Sequence, residues 1–239
     1  MSTKITSLAD AIALVPRDAL VAIAGPVGAR RPLALVRELR RQERSDVRLV
    51  ARTAGPEAEL LGASGLDLVP ATAFRAAALG VDFLPTTAGD GPTVVSPVSG
   101  ASYPVVAAVR PSVALVHAEA ADEDGTVLLS DATETWADDR ELALAAELVI
   151  VSVERLVSRL AVVSRPRDVL LDGARVAAIV HAPFGAHPLP YPGEYPADDV
   201  AAPGEPSDDH WAYLDAVGIG RLITLASAPG ITTTKESTA

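Results

Sequence analysis

The chain alternates short runs in which almost every residue is apolar with longer stretches in which apolar residues recur every three or four positions. "DALVAIAG" (18–25), "DVRLVA" (46–51), "SVALVHA" (112–118), "LVIVSVE" (148–154) and "RVAAIVHA" (175–182) are of the first kind. They are strand-length, rich in Val and Ile, and nearly free of alternating polar positions, the pattern of strands covered on both faces. "PLALVRELRRQ" (32–42), "EAELLG" (57–62), "ATAFRAAALG" (71–80) and "ADDRELALAAE" (137–147) are of the second kind and predict helices. Pro32 at a first helical position and arginines in the last turn suit the first of these, and the two short ones run into glycine. "PSDDHWAYLDAVG" (206–218) predicts a further acidic helix. Residues 81–104 are less regular and rich in Gly, Pro, Ser and Thr, and "YPVVAAV" (103–109) is expected as a short helix. Strand and helix alternating in this way predict an α/β fold with a mainly parallel open sheet and helices on both faces. It is expected as one domain over residues 1–228, with a mobile tail at 229–239.

The polar chemistry gathers where the predicted strands end. The first strand leads into Gly25-Pro26-Val27-Gly28-Ala29-Arg30-Arg31. The "SVALVHA" strand ends at His117, followed by Glu119 and Asp122; "LVIVSVE" ends at Glu154; "RVAAIVHA" ends at His181. Ligands of open parallel sheets bind outside the carboxyl ends of strands, so these residues are candidates for a site. In the first loop, Arg30 and Arg31 sit where a helix begins, an unfavourable place for a cation. An anionic ligand or acidic partner would relieve that cost, and a Gly-rich turn before a helix offers N–H groups to an anion. The other reading of the pair is two solvated arginines. His117 reads either as a site residue or as a core histidine bonded to a carbonyl. Glu154 reads either as a general base or as a structural carboxylate.

The last strand runs into "HAPFGAHPLPYPGEYPADDV" (181–200), which holds two of the four histidines and five of the nineteen prolines. The prolines stiffen an irregular segment and Gly185 and Gly193 restore freedom between them. Gly185, His187 and Tyr195 join the candidates as parts of a pre-shaped wall. His181 and His187 do not have the i, i+4 spacing of a helical metal pair, and no metal site is predicted.

Composition narrows the function. The absence of cysteine excludes thiol catalysis, disulfides and thiolate metal sites. A net charge of −11 argues against nucleic-acid binding, which needs Lys and Arg to neutralise phosphates. No apolar run approaches the length of a membrane helix, and "MSTKITSLADAIALV" lacks a signal-peptide pattern, so a cytoplasmic location without membrane attachment is expected. No Gly-x-Ser-x-Gly elbow is present.

Four segments, in order, resemble family I coenzyme A transferases: "GPVGARRPLALVRELRRQ", "VHAEAADEDGTV", "AAELVIVSVERLV" and "APFGAHPLPYPGEYPADDVAAP". The last is the most specific and is similar to the "P-x-G-A-H-P…Y…D" segment of the glutaconate-type A subunit. Thr126 stands where the family usually has Asn, and "AGPVG" where it has a Gly-Gly pair. The resemblance implies an A (alpha) subunit of a heteromer that moves CoA between an acyl-CoA and a carboxylic acid. The CoA thioester is then substrate, with no bound cofactor. The nucleophilic glutamate of the family belongs to the B (beta) subunit, and Glu154 matches an A-type position instead. The strand-end and loop residues Gly25, Gly28, Arg31, His117, Glu119, Asp122, Glu154, His181, Gly185, His187 and Tyr195 then become candidates for the CoA and substrate pocket. Two other functions stay open: a related A/B hydrolase that opens a ring in a CoA thioester during steroid degradation, and a non-catalytic ligand-binding domain of the same fold.

Overall fold

A computed structural model describes residues 3–61, 65–87, 91–130, 136–199 and 209–227. Six strands run parallel in the order β3-β2-β1-β7-β9-β11, where β1 is Leu20–Ile23, β2 Arg48–Ala51, β3 Leu66–Leu68, β7 Val113–Ala121, β9 Leu148–Leu156 and β11 Ala178–His181. Past the end of β1, the upper part of β7 pairs with the short antiparallel β8 (Val127–Leu128), and β10 (Val169–Leu171) pairs antiparallel with β8 in turn. The mainly parallel α/β sheet expected from the sequence is therefore present. Strands β1, β2, β7, β9 and β11 lie between two apolar layers, which is why their runs show no polar alternation.

On one face, α1 (Leu8–Ala13), α2 (Leu33–Arg41) and α3 (Glu57–Leu61) cover Val21, Ile23, Leu115, Ile150 and Val180. On the other, α4 (Ala71–Ala78) and α5 (Trp136–Ala145) cover Ala22, Val116, Val151 and Val153. Burying one such Val or Leu side chain contributes roughly 1.5–3 kcal/mol. α2 is amphipathic, with Leu33, Leu35, Val36 and Leu39 buried and Arg40 and Arg41 in its last turn. α6 (Arg159–Val163) follows β9, and α7 (His210–Val217) and α8 (Ile219–Ala226) close the described chain. Asp209 caps α7, its carboxylate accepting from the N–H groups of Trp211 and Ala212 at 2.9 Å.

One predicted helix is a strand. "YPVVAAV" falls on β6 (Ser102–Ala107), the centre of a small antiparallel sheet flanked by β4 (Phe83–Pro85) and β5 (Thr93–Val95). The adjacent Val105 and Val106 favour the pleated form. Pro104 cannot donate to the ladder, but its carbonyl still accepts from Thr86 at 2.9 Å. The expected tail at 229–239 lies outside the described residues.

Lys4 ties the chain's start to the turn before β11 by donating to the carbonyls of Gly173 and Val176. A Cβ on Gly173 would run into the carbonyl of Asp124. Gly173→Ala is therefore expected to destabilise the protein by about 1–3 kcal/mol, read as a lowered melting temperature; an unchanged value would show that this contact has room to give.

Candidate active site

Parallel register sets the centre of the site. His117 on β7 is aligned with Ser152 on β9, and residues two apart on a strand share a face, so Glu154 stands on the same side as both. The His117 Nε2 lies 2.7 Å from Glu154 Oε1 and its Nδ1 lies 2.9 Å from Ser152 Oγ. The carboxylate only accepts, so Nε2–H donates to it and the serine hydroxyl can donate to Nδ1. The opening of the 181–200 segment folds over this pair. Phe184 N–H donates to Glu154 Oε2 at 2.7 Å, Gly185 N–H to Oε1 at 3.2 Å, and the Tyr195 hydroxyl to Oε1 at 2.9 Å. Ala186 N–H completes the arrangement by donating to the Tyr195 oxygen at 3.1 Å. His117 meets the edge of Tyr191 with ring centroids 5.5 Å apart.

Burial pushes the Glu154 carboxyl up, but the hydrogen bonds from His117, Phe184 and Tyr195 outweigh that and hold its pKa below the usual range. Burial keeps the Tyr195 phenol protonated, well above its ordinary pKa. Gly185 is required here: a Cβ would lie 2.5 Å from His117 Cε1 and 2.8 Å from the Ala182 carbonyl. Phe184 adopts φ 57° and so turns two successive N–H groups onto one carboxylate.

The remaining candidates divide into a rim and a frame. Glu119 is at the rim, bound by Arg165 at 2.7 and 2.8 Å and by Arg155 at 2.9 Å. Burial raises its pKa, but these two arginines bring it below the ordinary value. Arg155 also grips Glu194, which sits in the tight turn between Tyr191 and Tyr195. Asp122 holds the β7–β8 turn instead of facing the site; its carboxylate accepts from Thr126 N–H at 2.8 Å. His181 is exposed and aligned with Val153, so it leaves the sheet on the side opposite His117 and Glu154.

The first loop departs from both readings of its arginines. Arg30 and Arg31 are neither solvated nor open to an anion; they are 2% and 0% exposed. Arg30 pairs with Asp139 at 2.8 Å, and Asp139 also accepts from Gly25 N–H at 2.9 Å. Arg31 lies 3.1 Å from Glu57 and donates to the Thr53 carbonyl and hydroxyl at 2.5 and 2.8 Å. Burial lowers the Arg31 pKa and raises that of Glu57, each opposed by the other's charge. The N–H groups near the start of α2 are also occupied by protein: Arg30 N–H donates to the Pro190 carbonyl at 3.0 Å and Ala34 N–H to that of Gly185 at 2.8 Å. Gly25, at φ 105°, lets the turn close, since a Cβ would lie 2.9 Å from the Arg30 carbonyl oxygen. Gly28 is exposed at the tip, at φ 66°.

His187 is likewise a fastener. It is 1% exposed, with Nε2 3.0 Å from Asp198 and Nδ1 2.6 Å from the Tyr213 hydroxyl. Arg37 donates to its carbonyl while stacking 3.7 Å over the Tyr213 ring, and Arg221 holds Asp198 from α8. The loop is thereby bolted to α2, α7 and α8. Sequence reasoning missed Ser152, Phe184, Tyr191, Arg155, Glu194 and Asp139. Ser152 was available from the two-residue spacing to Glu154; Asp139 carried no local signal, lying in an ordinary helix.

Residues 66–182 match the coenzyme A transferase family model. The chain is 33% identical to the A subunit of glutaconate CoA-transferase from Acidaminococcus fermentans over 50% of its own length and 42% of that protein's. It is 36% identical to the A subunit of 3-oxoadipate CoA-transferase from Pseudomonas knackmussii, over 58% and 45% of the two chains. Those alignments thus span less than half of either relative. A cholesterol ring-cleaving hydrolase IpdA subunit of Mycobacterium tuberculosis is 28% identical over 78% of this chain and 82% of its own. The crystal structure of glutaconate coenzyme A-transferase from A. fermentans superposes with a TM-score of 0.83 at 24% identity, covering 96% of this chain and 97% of that one, a likeness of fold. The chain is thus similar, over its central half, to the coenzyme A transferase family and to A subunits of two such enzymes. Among the described residues, no helix is long and apolar enough to cross a membrane.

His187→Ala is expected to cost about 2–4 kcal/mol of stability by leaving the buried Tyr213 hydroxyl without its imidazole partner and a cavity beside Asp198, visible in a denaturant melt; a full-stability variant with impaired turnover would instead make His187 a direct site residue. His210, buried under the loop and donating to the Pro183 carbonyl, has its pKa lowered by burial from 6.5 to about 4. Its folded pKa is below its unfolded one, so the unfolded chain takes up the proton first, and stability is lost as pH falls from about 6.5 to about 4. Burial lowers the His187 pKa as well, in the same sense. His210→Gln is expected to flatten this part of the melting-temperature profile; an unaltered slope would assign the loss to other groups.

Proposed function

We propose that this chain is one half, the A-type half, of a heteromeric enzyme that transfers coenzyme A from an acyl-CoA to a carboxylic acid, with the nucleophilic glutamate supplied by a B-type partner. The observation that carries this reading is the state of the carboxylates around the carboxyl edge of the sheet. Glu154 accepts from four donors, Glu119 is held by two arginines, Asp122 closes a turn, and Asp139 is buried against Arg30 and Arg52. A carboxylate so stabilised is a poor nucleophile, because attack on a thioester would require it to leave its donors. The chain therefore suits the role of wall and scaffold: His117, Gly185 and Tyr195 shape the edge against which a partner's glutamate and the thioester meet. The protein's location is proposed as cytoplasmic, in keeping with CoA thioesters as substrates.

A second reading is favoured by one finding: the match to the ring-cleaving hydrolase extends over most of that protein's length, while the matches to the two transferases extend over less than half of theirs. In that reading no glutamyl thioester forms, and the CoA portion supplies binding energy for orientation.

The test is to co-purify the chain with a B-type partner encoded beside it, load the complex with acyl-CoA and add borohydride. Inactivation that depends on acyl-CoA is expected, since borohydride reduces a glutamyl-CoA thioester. An active complex that hydrolyses its substrate and resists borohydride would overturn the transferase reading in favour of the second, and failure to find any such partner would overturn both.

A further inference from the structure

The donors around Glu154 make a receptor for a carboxylate, and among the described residues the four N–H and O–H groups are directed at that carboxylate. Two come from successive backbone N–H groups, Phe184 and Gly185, one from the His117 imidazole and one from the Tyr195 phenol, at 2.7 to 3.2 Å. Every donor comes from outside β9, while the acceptor is the final inward-facing residue of that strand. Glu154 is only 8% exposed, so water can replace few of these bonds. The 184–186 backbone in turn carries the Gly185 carbonyl that accepts from Ala34 at the start of α2, and the same loop carries the Pro190 carbonyl that accepts from Arg30. Removing the carboxylate would leave two N–H groups, an imidazole N–H and a phenol aimed at one another's vicinity, an arrangement that buried donors do not tolerate without an acceptor.

We propose that Glu154 is a positioning residue that acts as a captive carboxylate: it fills a four-donor cradle formed by Phe184, Gly185, His117 and Tyr195, and through that cradle sets the course of the 184–195 wall and of the first loop behind it. The cradle's specificity is for a small planar carboxylate, with formate the smallest free counterpart. This inference takes from the proposed function only that the wall borders the reacting groups; the cradle itself is a property of this chain.

Glu154→Ala opens the cradle, and hydrogen–deuterium exchange of the chain complexed with its B-type partner reads the result without turnover. Amide exchange at 184–186 is expected to accelerate roughly 10–100-fold, the equivalent of losing one charge-assisted hydrogen bond. Sodium formate is expected to restore the protection saturably, whereas sodium chloride at equal ionic strength is not. In an activity assay kcat/KM is expected to fall and to recover with formate, again without recovery in chloride. Glu154→Gln keeps the volume but turns a donor toward the cradle, and is expected to accelerate the same amides with no response to formate, because the cradle is full. Unchanged protection in a folded Glu154→Ala complex would overturn the proposal, as would restoration by chloride as effective as that by formate. If Glu154→Ala does not fold, Glu154→Gln decides: exchange raised at 184–186 with β7 and β9 still protected supports the cradle, and a uniform rise across the sheet refutes it. A complex without CoA-transfer activity would refute the proposed function and leave the exchange result standing.

Discussion

The constraint on which the molecule depends is that its central strands have no wet side. With α1–α3 over one face and α4 and α5 over the other, polar side chains within β1, β7 and β9 have no route to solvent, and those strands carry almost none until their carboxyl ends. At those ends the covering helices stop and polar groups accumulate at sites that are still largely buried. Most of them find a protein partner, because an unmatched buried donor or charge costs more than a matched one gains. The arrangement at the sheet edge follows: carboxylates surrounded by donors, arginines lodged beside carboxylates, and backbone carbonyls of one loop received by N–H groups of the next.

The two sides of the edge solve this problem differently. The first loop relies on arginine, a charged and multivalent donor, in the Arg30–Asp139 and Arg31–Glu57 contacts. The loop after β11 relies on neutral histidine, with His187 and His210 both disfavoured as cations by burial.

The sheet, its main strands and the location of the polar edge were legible in the sequence because both-face burial writes an unbroken apolar run, and because the run ends where the chemistry begins. That pattern points to His117 and Glu154, the proline-rich loop and the family resemblance point to Gly185 and Tyr195, and the four converge. The partners they chose were not legible. Nothing local told that Glu154 would face backbone N–H groups thirty residues later, or that Arg31 would be neutralised by Glu57 across a loop, since these contacts are set by strand order and not by neighbouring residues. His181 was misplaced for a simpler reason: alternation moves a strand's side chains to opposite faces at each step, and its register with Val153 was needed to know which face it takes. The apolar content of "YPVVAAV" fits either period over so few residues, so pattern alone does not separate its strand from a helix.

The carbonyls of Gly185 and Pro190 reach back to Ala34 and Arg30, so the loop after β11 serves as the cap of a helix about 150 residues earlier in the chain. Surface loops ordinarily tolerate insertions and drift between relatives. This one has its length fixed at both of those contacts, and a single added residue would uncouple the start of α2 from the end of the sheet. The small β4–β6–β5 sheet, which packs chiefly on α4 and presents Phe83, Val95 and Tyr103 outward, carries no such tie to the start of α2 among the described residues.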